Sequence, residues 1–234
     1  MNKIVLFCFP YAGGSAVVFN SWKKFLHPSI ELRPVELRGR GRRIAEKMYS
    51  DTTEMIDDVF HTIKHSITGF EYALFGHSMG ALIAYELTQK IRNEGLPLPK
   101  HVFFSGKGAP HIKRSDEKVY HLMGEEQFEE EVLKLGGTPP EFFENPELMN
   151  FFLPLLKNDF RLSETGIESE TIQPLDQDIT VFLGKDDDFS KDQCEQWHLH
   201  TNRQCHMHYF EGGHFFLHDN AREIVQIISA QLNQ

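Results

Sequence analysis

The chain has 234 residues, 40% of them hydrophobic and 25% charged, and a net charge of -10. That length can bury one large core, and the composition is close to that of ordinary soluble proteins, which excludes disorder, collagen-like repeats and coiled coil. The negative charge argues against general binding to nucleic acid or to an anionic membrane surface.

No Pro/Gly/Ser-rich linker splits the chain, so a single domain over 1-234 is expected. A monomer is expected as well. The N-terminal apolar run, Ile4 to Phe9, is too short for a secretory signal, and no stretch approaches the roughly 20 apolar residues that span a bilayer. Cys8, Cys194 and Cys205 are odd in number and irregularly spaced, which fits a reduced cytoplasm.

Apolar runs predict buried strands at Ile4 to Phe9, Ile30 to Val35, Tyr72 to Phe75, His101 to Ser105, Ile179 to Leu183 and His206 to Phe210. Helical patterns lie between most of them. After Ser78, Met79, Ile83, Leu87 and Ile91 recur every four residues until Gly95 and Pro97 stop the helix. Another helix closes the chain, with Ile224, Ile227, Ile228 and Leu232 on one face. Strands alternating with helices imply an α/β fold with a mostly parallel sheet flanked by helices, because parallel neighbours need a crossover. The stretch from about Ile112 to Glu170 breaks this rhythm: it is Phe-rich, helix-like and carries 14 acidic against 6 basic side chains. It predicts a helical lid inserted between two strands.

Gly76-His77-Ser78-Met79-Gly80 follows an apolar strand and opens an amphipathic helix. This is the context in which a GxSxG sequence forms the nucleophile turn of the α/β-hydrolase fold. The turn strains the serine backbone, and Gly76 and Gly80 leave room for strand and helix to approach. It also sets Ser78 at a helix N-terminus, where the Met79 amide can hold a developing oxyanion.

A serine hydroxyl needs a base, and the base needs a carboxylate, in the chain order Ser, acid, His. His214, in the glycine-bearing segment Phe210-Glu211-Gly212-Gly213-His214, is the expected base, with His218 as its nearby rival. The acid should follow the strand ending at Leu183, where Asp186, Asp187 and Asp188 stand in a row. Asp187, three residues past Gly184, is preferred, with Asp186 as the alternative. The second oxyanion amide is expected in the loop Pro10-Tyr11-Ala12-Gly13-Gly14-Ser15, from Ala12 or Tyr11, with Ser15 capping the next helix.

Other signals carry less. Cys194, His198 and His200, or Cys205, His206 and His208, lack metal-ligand spacing, so no metal and no cofactor are expected. Arg33, Arg38, Arg40, Arg42 and Arg43 form a dense cationic stretch, read either as a solvated loop or as a means of drawing an anionic phosphate or acidic partner. Phe142, Phe143, Phe151, Phe152 and Phe160 either pack the insert or line an acyl pocket.

The chain resembles the type II thioesterases that accompany non-ribosomal peptide and polyketide synthetases. The match runs nearly end to end and rests on Phe7-Cys8-Phe9-Pro10-Tyr11-Ala12-Gly13-Gly14, Gly39-Arg40-Gly41-Arg42-Arg43, Phe75-Gly76-His77-Ser78-Met79-Gly80, Leu135-Gly136-Gly137-Thr138-Pro139 and Phe210-Glu211-Gly212-Gly213-His214-Phe215-Phe216. Where the family usually has a proline ahead of Gly39, this chain has Arg38. The resemblance implies hydrolysis of acyl or aminoacyl thioesters on the phosphopantetheine arm of carrier-protein domains, clearing wrongly loaded arms. The substrate would bring the phosphopantetheine; the enzyme would need no cofactor. A carboxylesterase acting on small esters, a non-catalytic carrier-binding module and an acyl transferase are the alternatives.

Overall fold

The computed structural model describes residues 3–112, 118–138, 142, 143, 145–166 and 172–233. Six strands form one sheet: β1 (Ile4–Phe9), β2 (Ile30–Pro34), β3 (Tyr72–His77), β4 (His101–Ser105), β5 (Asp178–Gly184) and β6 (Cys205–Phe210). Every neighbouring pair is parallel, in the order β2-β1-β3-β4-β5-β6. The four inner strands, β1, β3, β4 and β5, read as near-continuous apolar runs because both faces are covered, while the edge strands β2 and β6 are mostly half-buried. One core cluster takes alternate strand residues such as Val5, Phe7 and Leu74, and the other takes Leu6, Cys8 and Phe75.

The connection from β1 runs outward to β2 and then back to β3 on the other side. The carboxyl ends of β1 and β3 therefore flank a switch point, with Phe9 paired to Gly76, and loops meet there to form a site. β3 extends two residues beyond the predicted Phe75, since Gly76 and His77 continue the ladder against Phe104 and Ser105.

Helices α1 (Thr52–Ile67), α2 (Met79–Asn93), α3 (Glu125–Leu135), α4 (Pro146–Thr165), α5 (Lys191–Glu195) and α6 (Ala221–Leu232) complete the fold. Asp51 caps α1 by accepting from the Glu54 amide at 2.8 Å, and Asn145 caps α4, where Pro146 fills a position that needs no donor. On α6, Val225 is buried, while the predicted Ile227 is half-buried. α2 differs from a surface helix: beyond Met79, Ile83, Leu87 and Ile91, it also buries Ala81, Leu82, Ala84, Tyr85 and Thr88. The reason is that α1 and α4 both pack on α2 in addition to the sheet.

α3 and α4 occupy the predicted insertion between β4 and β5; of that stretch, residues 113–117, 139–141, 144 and 167–170 lie outside the described residues. The insertion has its own small core of Phe128, Val132 and Leu156, against which Ala12 also packs. Among the described residues, no helix is long and apolar enough to cross a membrane.

Candidate active site

Ser78 stands between the end of β3 and the start of α2, with φ 54° and ψ -113°. It is the one non-glycine residue with positive φ among the described residues. L-residues pay for that conformation in strain and hold it only where surrounding structure imposes it. Here the neighbours impose it: a side chain on Gly76 would collide with the Gly80 carbonyl, and one on Gly80 with the Phe9 carbonyl. The Ser78 amide is fixed to the Ser105 carbonyl at 2.8 Å. Met79 opens α2, where first-turn amides lack intrahelical acceptors.

The structure brings Ser78, His214 and Asp187 together. His214 Nε2 lies 3.0 Å from Ser78 Oγ, and its Nδ1 lies 2.9 Å from Asp187 Oδ2. With Nδ1 carrying the proton donated to Asp187, Nε2 is left to accept from the serine hydroxyl. The imidazole is 14% exposed and the carboxylate 7%, so water competes weakly for either bond. Of the three consecutive aspartates, Asp186 is exposed and its amide bonds the Gly212 carbonyl, whereas Asp187 turns inward. His218 does not reach Ser78; its ring faces Tyr11, with Nε2 3.2 Å from the Tyr11 hydroxyl.

The loop after β1 is tightly specified. The Gly14 amide bonds the Tyr11 carbonyl at 2.9 Å, and Ser15 accepts from the Val17 amide at the start of the helical turn Ala16–Lys24, as its cap. Glu36, nearly fully buried, accepts from the Ala16 amide at 3.0 Å. The two sides of the site also share one aromatic cluster: the Tyr11 ring packs edge-on against His77, Phe215 and His218.

The arginine stretch is not a solvated loop. Arg33 pairs with Glu31, Arg38 with Glu54 and Asp58, Arg43 with Asp58 and Glu46, and Arg40 with Asp159 of α4. Their charges are spent on the protein itself; of the five, only Arg42 projects as an exposed side chain with no such pair described. Arg38 also uses what a proline would lack, since its amide donates to the Tyr49 hydroxyl at 3.1 Å.

The insertion's aromatics divide. Phe160 stacks on Tyr120 and meets Phe128 edge-on, so it packs the insert. Phe152 contacts Phe142 and, with Leu156, fills the space over Gly13, while Phe151 is half exposed. On the opposite side Gly137, at φ +81°, has no room for a side chain against Phe215, the neighbour of His214. The insertion thus touches both the β1 loop and the His214 loop. Among the described residues, no group of three His, Cys, Asp or Glu side chains could hold a metal ion.

A serine strained at a strand-to-helix turn, bonded to a histidine and then an aspartate at the carboxyl edge of a parallel sheet, defines an α/β-hydrolase with a nucleophile elbow. Comparison with known proteins narrows the class. The thioesterase domain family matches residues 5–232, and the chain belongs to that family. It is 37% identical over 234 residues to Linear gramicidin dehydrogenase LgrE of Brevibacillus parabrevis, a name that refers to a different reaction, covering 98% of this chain and 88% of that one. It is 36% identical over 231 residues to Gramicidin S biosynthesis protein GrsT of Aneurinibacillus migulanus, covering 98% and 89%. The crystal structure of ClbQ from the colibactin NRPS/PKS pathway superposes with a TM-score of 0.91 at 35% identity, covering 99% of this chain and 98% of that one. The resemblance to type II thioesterases is borne out by these likenesses, and the protein is a thioester hydrolase.

Proposed function

We propose that this enzyme removes acyl or aminoacyl groups from the phosphopantetheine arms of synthetase carrier domains, through an acyl-enzyme on Ser78. The observation that carries the reading is the unbroken chain from Ser78 Oγ through His214 to Asp187, with links of 3.0 and 2.9 Å, set on the strained elbow. The carrier-bound substrate is supported by the relatives' place in peptide and polyketide synthetase pathways.

In the first half-reaction Ser78 Oγ attacks the thioester carbonyl as His214 Nε2 takes its proton. Asp187 keeps the imidazole in the tautomer that can accept and stabilises the imidazolium. The amides of Met79 and Ala12 hold the oxyanion; when it collapses, the carbon–sulfur bond breaks and the pantetheine thiolate takes the proton from His214. Water then gives His214 a proton and attacks the acyl-serine. The acid leaves, and Ser78 recovers its proton. Every step uses side chains, backbone amides and water, so the reaction calls for no cofactor beyond the arm the substrate brings.

Trapping the intermediate tests this scheme. A fluorophosphonate should label one residue, Ser78, as read by peptide mass spectrometry, and Ser78→Ala should take no label. Labelling that persists in Ser78→Ala would refute the assignment of the nucleophile.

A further inference from the structure

Arg40 and Asp159 form a charged pair in which the side chains are 4% and 1% exposed, joined by two bonds of 2.6 and 2.7 Å. Arg40 comes from the loop after β2 and Asp159 from the second turn from the end of α4. Between them they hold the loop after β1. The Gly13 amide donates to Asp159 Oδ2 at 2.8 Å, and Arg40 Nη1 donates to the Gly14 carbonyl at 3.1 Å. Gly13 itself sits at φ +74°, and a side chain there would strike Leu156 and Phe152 of the same helix. The peptide immediately after Ala12 is therefore fixed by α4 through a charge-assisted bond on one side and close packing on another.

A buried ion pair adds little net stability, because desolvation offsets much of its attraction. What this pair supplies is geometry: two forked bonds fix the carboxylate, and the carboxylate fixes a backbone amide. We propose that Asp159, clamped by Arg40, is a positioning residue that holds the Ala12 amide where the oxyanion forms. The hole is then complete only while α4 is seated on the β1 loop. This rests on the hydrolytic reading of Ser78 given above. It assigns the insertion a part in the chemistry: whatever lifts α4 to admit an acyl arm also loosens one oxyanion donor, and reseating restores it.

The test replaces both charges together, as Arg40→Met/Asp159→Leu, since apolar substitution of a whole buried pair is commonly tolerated by the fold. The substrate is butyryl-pantetheine, which removes carrier docking as a variable. The second probe is a trifluoromethyl ketone analogue, which adds to the serine as an oxyanion. The expected result is a melting temperature within a few degrees of native and a kcat lower by about ten- to a hundredfold, the cost of a misplaced oxyanion donor. KM should stay within about twofold, with the analogue's affinity falling by the same factor as kcat. Unchanged kcat, or a kcat loss without loss of analogue affinity, overturns the proposal. Should the double variant not fold, Asp159→Asn decides. It keeps an acceptor for the Gly13 amide and should lose less kcat than Asp159→Ala; equal losses overturn the proposal. Ser78→Ala is assayed alongside. If it is inert while the double variant keeps full kcat, the positioning role alone fails; if it is active, the hydrolytic reading fails first.

Discussion

Gly184, which ends β5, lies so close beneath the His214 loop that a methyl group on its Cα would stand 2.5 Å from the Gly213 carbonyl oxygen and 2.6 Å from that of Gly212. The turn that carries Asp187 and the loop that carries His214 therefore meet backbone to backbone, which is how a 2.9 Å bond between two loops is fixed. Gly184→Ala should push the His214 loop off Ser78. We expect a kcat lower by about tenfold to a hundredfold, at a stability cost of about 1–3 kcal/mol from overpacking. Steady-state kinetics together with a melting curve check it; full activity would show that the loops adjust freely.

The same contact separates the two candidate acids. Asp187→Asn leaves the shape but removes the carboxylate that orients His214, so kcat should fall by about 10³ to 10⁴. Asp186→Asn, at an exposed position, should stay within about twofold of native. Equal effects of the two substitutions would contradict the assignment.

The strain at Ser78 is measurable as stability. At φ 54°, glycine is accommodated without a Cβ clash and alanine is not. Both Ser78→Gly and Ser78→Ala should be inactive, but the glycine variant should be the more stable by about 1–2 kcal/mol, or roughly 2–8 °C in a chain of this size. Identical melting temperatures would mean that the elbow is relaxed.

Acid should destabilise the fold through buried histidines. His101, between Phe103 and Thr180, and His200, between Tyr85 and His111, are pushed down to about 4, mainly by burial. The unfolded chain holds these groups near 6.5, so between pH 6.5 and about 4 it binds more protons than the folded one. Stability is therefore unaffected by them above that window and is lost as pH falls through it, by about 1.4 kcal/mol per pH unit for each. In urea titrations between about pH 4.5 and 6, His200→Gln should show a shallower fall than native by about one proton's worth. Parallel slopes would refute the burial argument.

Much of this was legible in the sequence because local signals and global fold agree. The six apolar runs are strands, the inner four covered on both faces, and Gly76 and Gly80 announce the elbow because a side chain on the first would meet the Gly80 carbonyl and one on the second the Phe9 carbonyl. His214 and Asp187 follow from chain order and glycine spacing. What stayed hidden depends on partners distant in sequence. Arg40 reads as one of five exposed cations, but its acceptor, Asp159, lies 119 residues away on α4. The burial of α2 between the sheet, α1 and α4, and the hold of α4 on Gly13, follow from how distant elements pack together, which no periodicity encodes. Tyr11 and His218, 207 residues apart, meet because the segments after β1 and β6 both leave the carboxyl edge of the parallel sheet.

The proposed clearing of acyl groups from carrier arms stands or falls on one comparison. An acetyl group is loaded onto the phosphopantetheine of a carrier protein, and free-thiol release is followed with native enzyme and Ser78→Ala, beside acetyl-pantetheine and a nitrophenyl ester. Release that requires Ser78 and shows a much higher kcat/KM on the carrier than on either small substrate is the predicted result. Turnover of the small ester with the carrier-bound thioester left intact would contradict it.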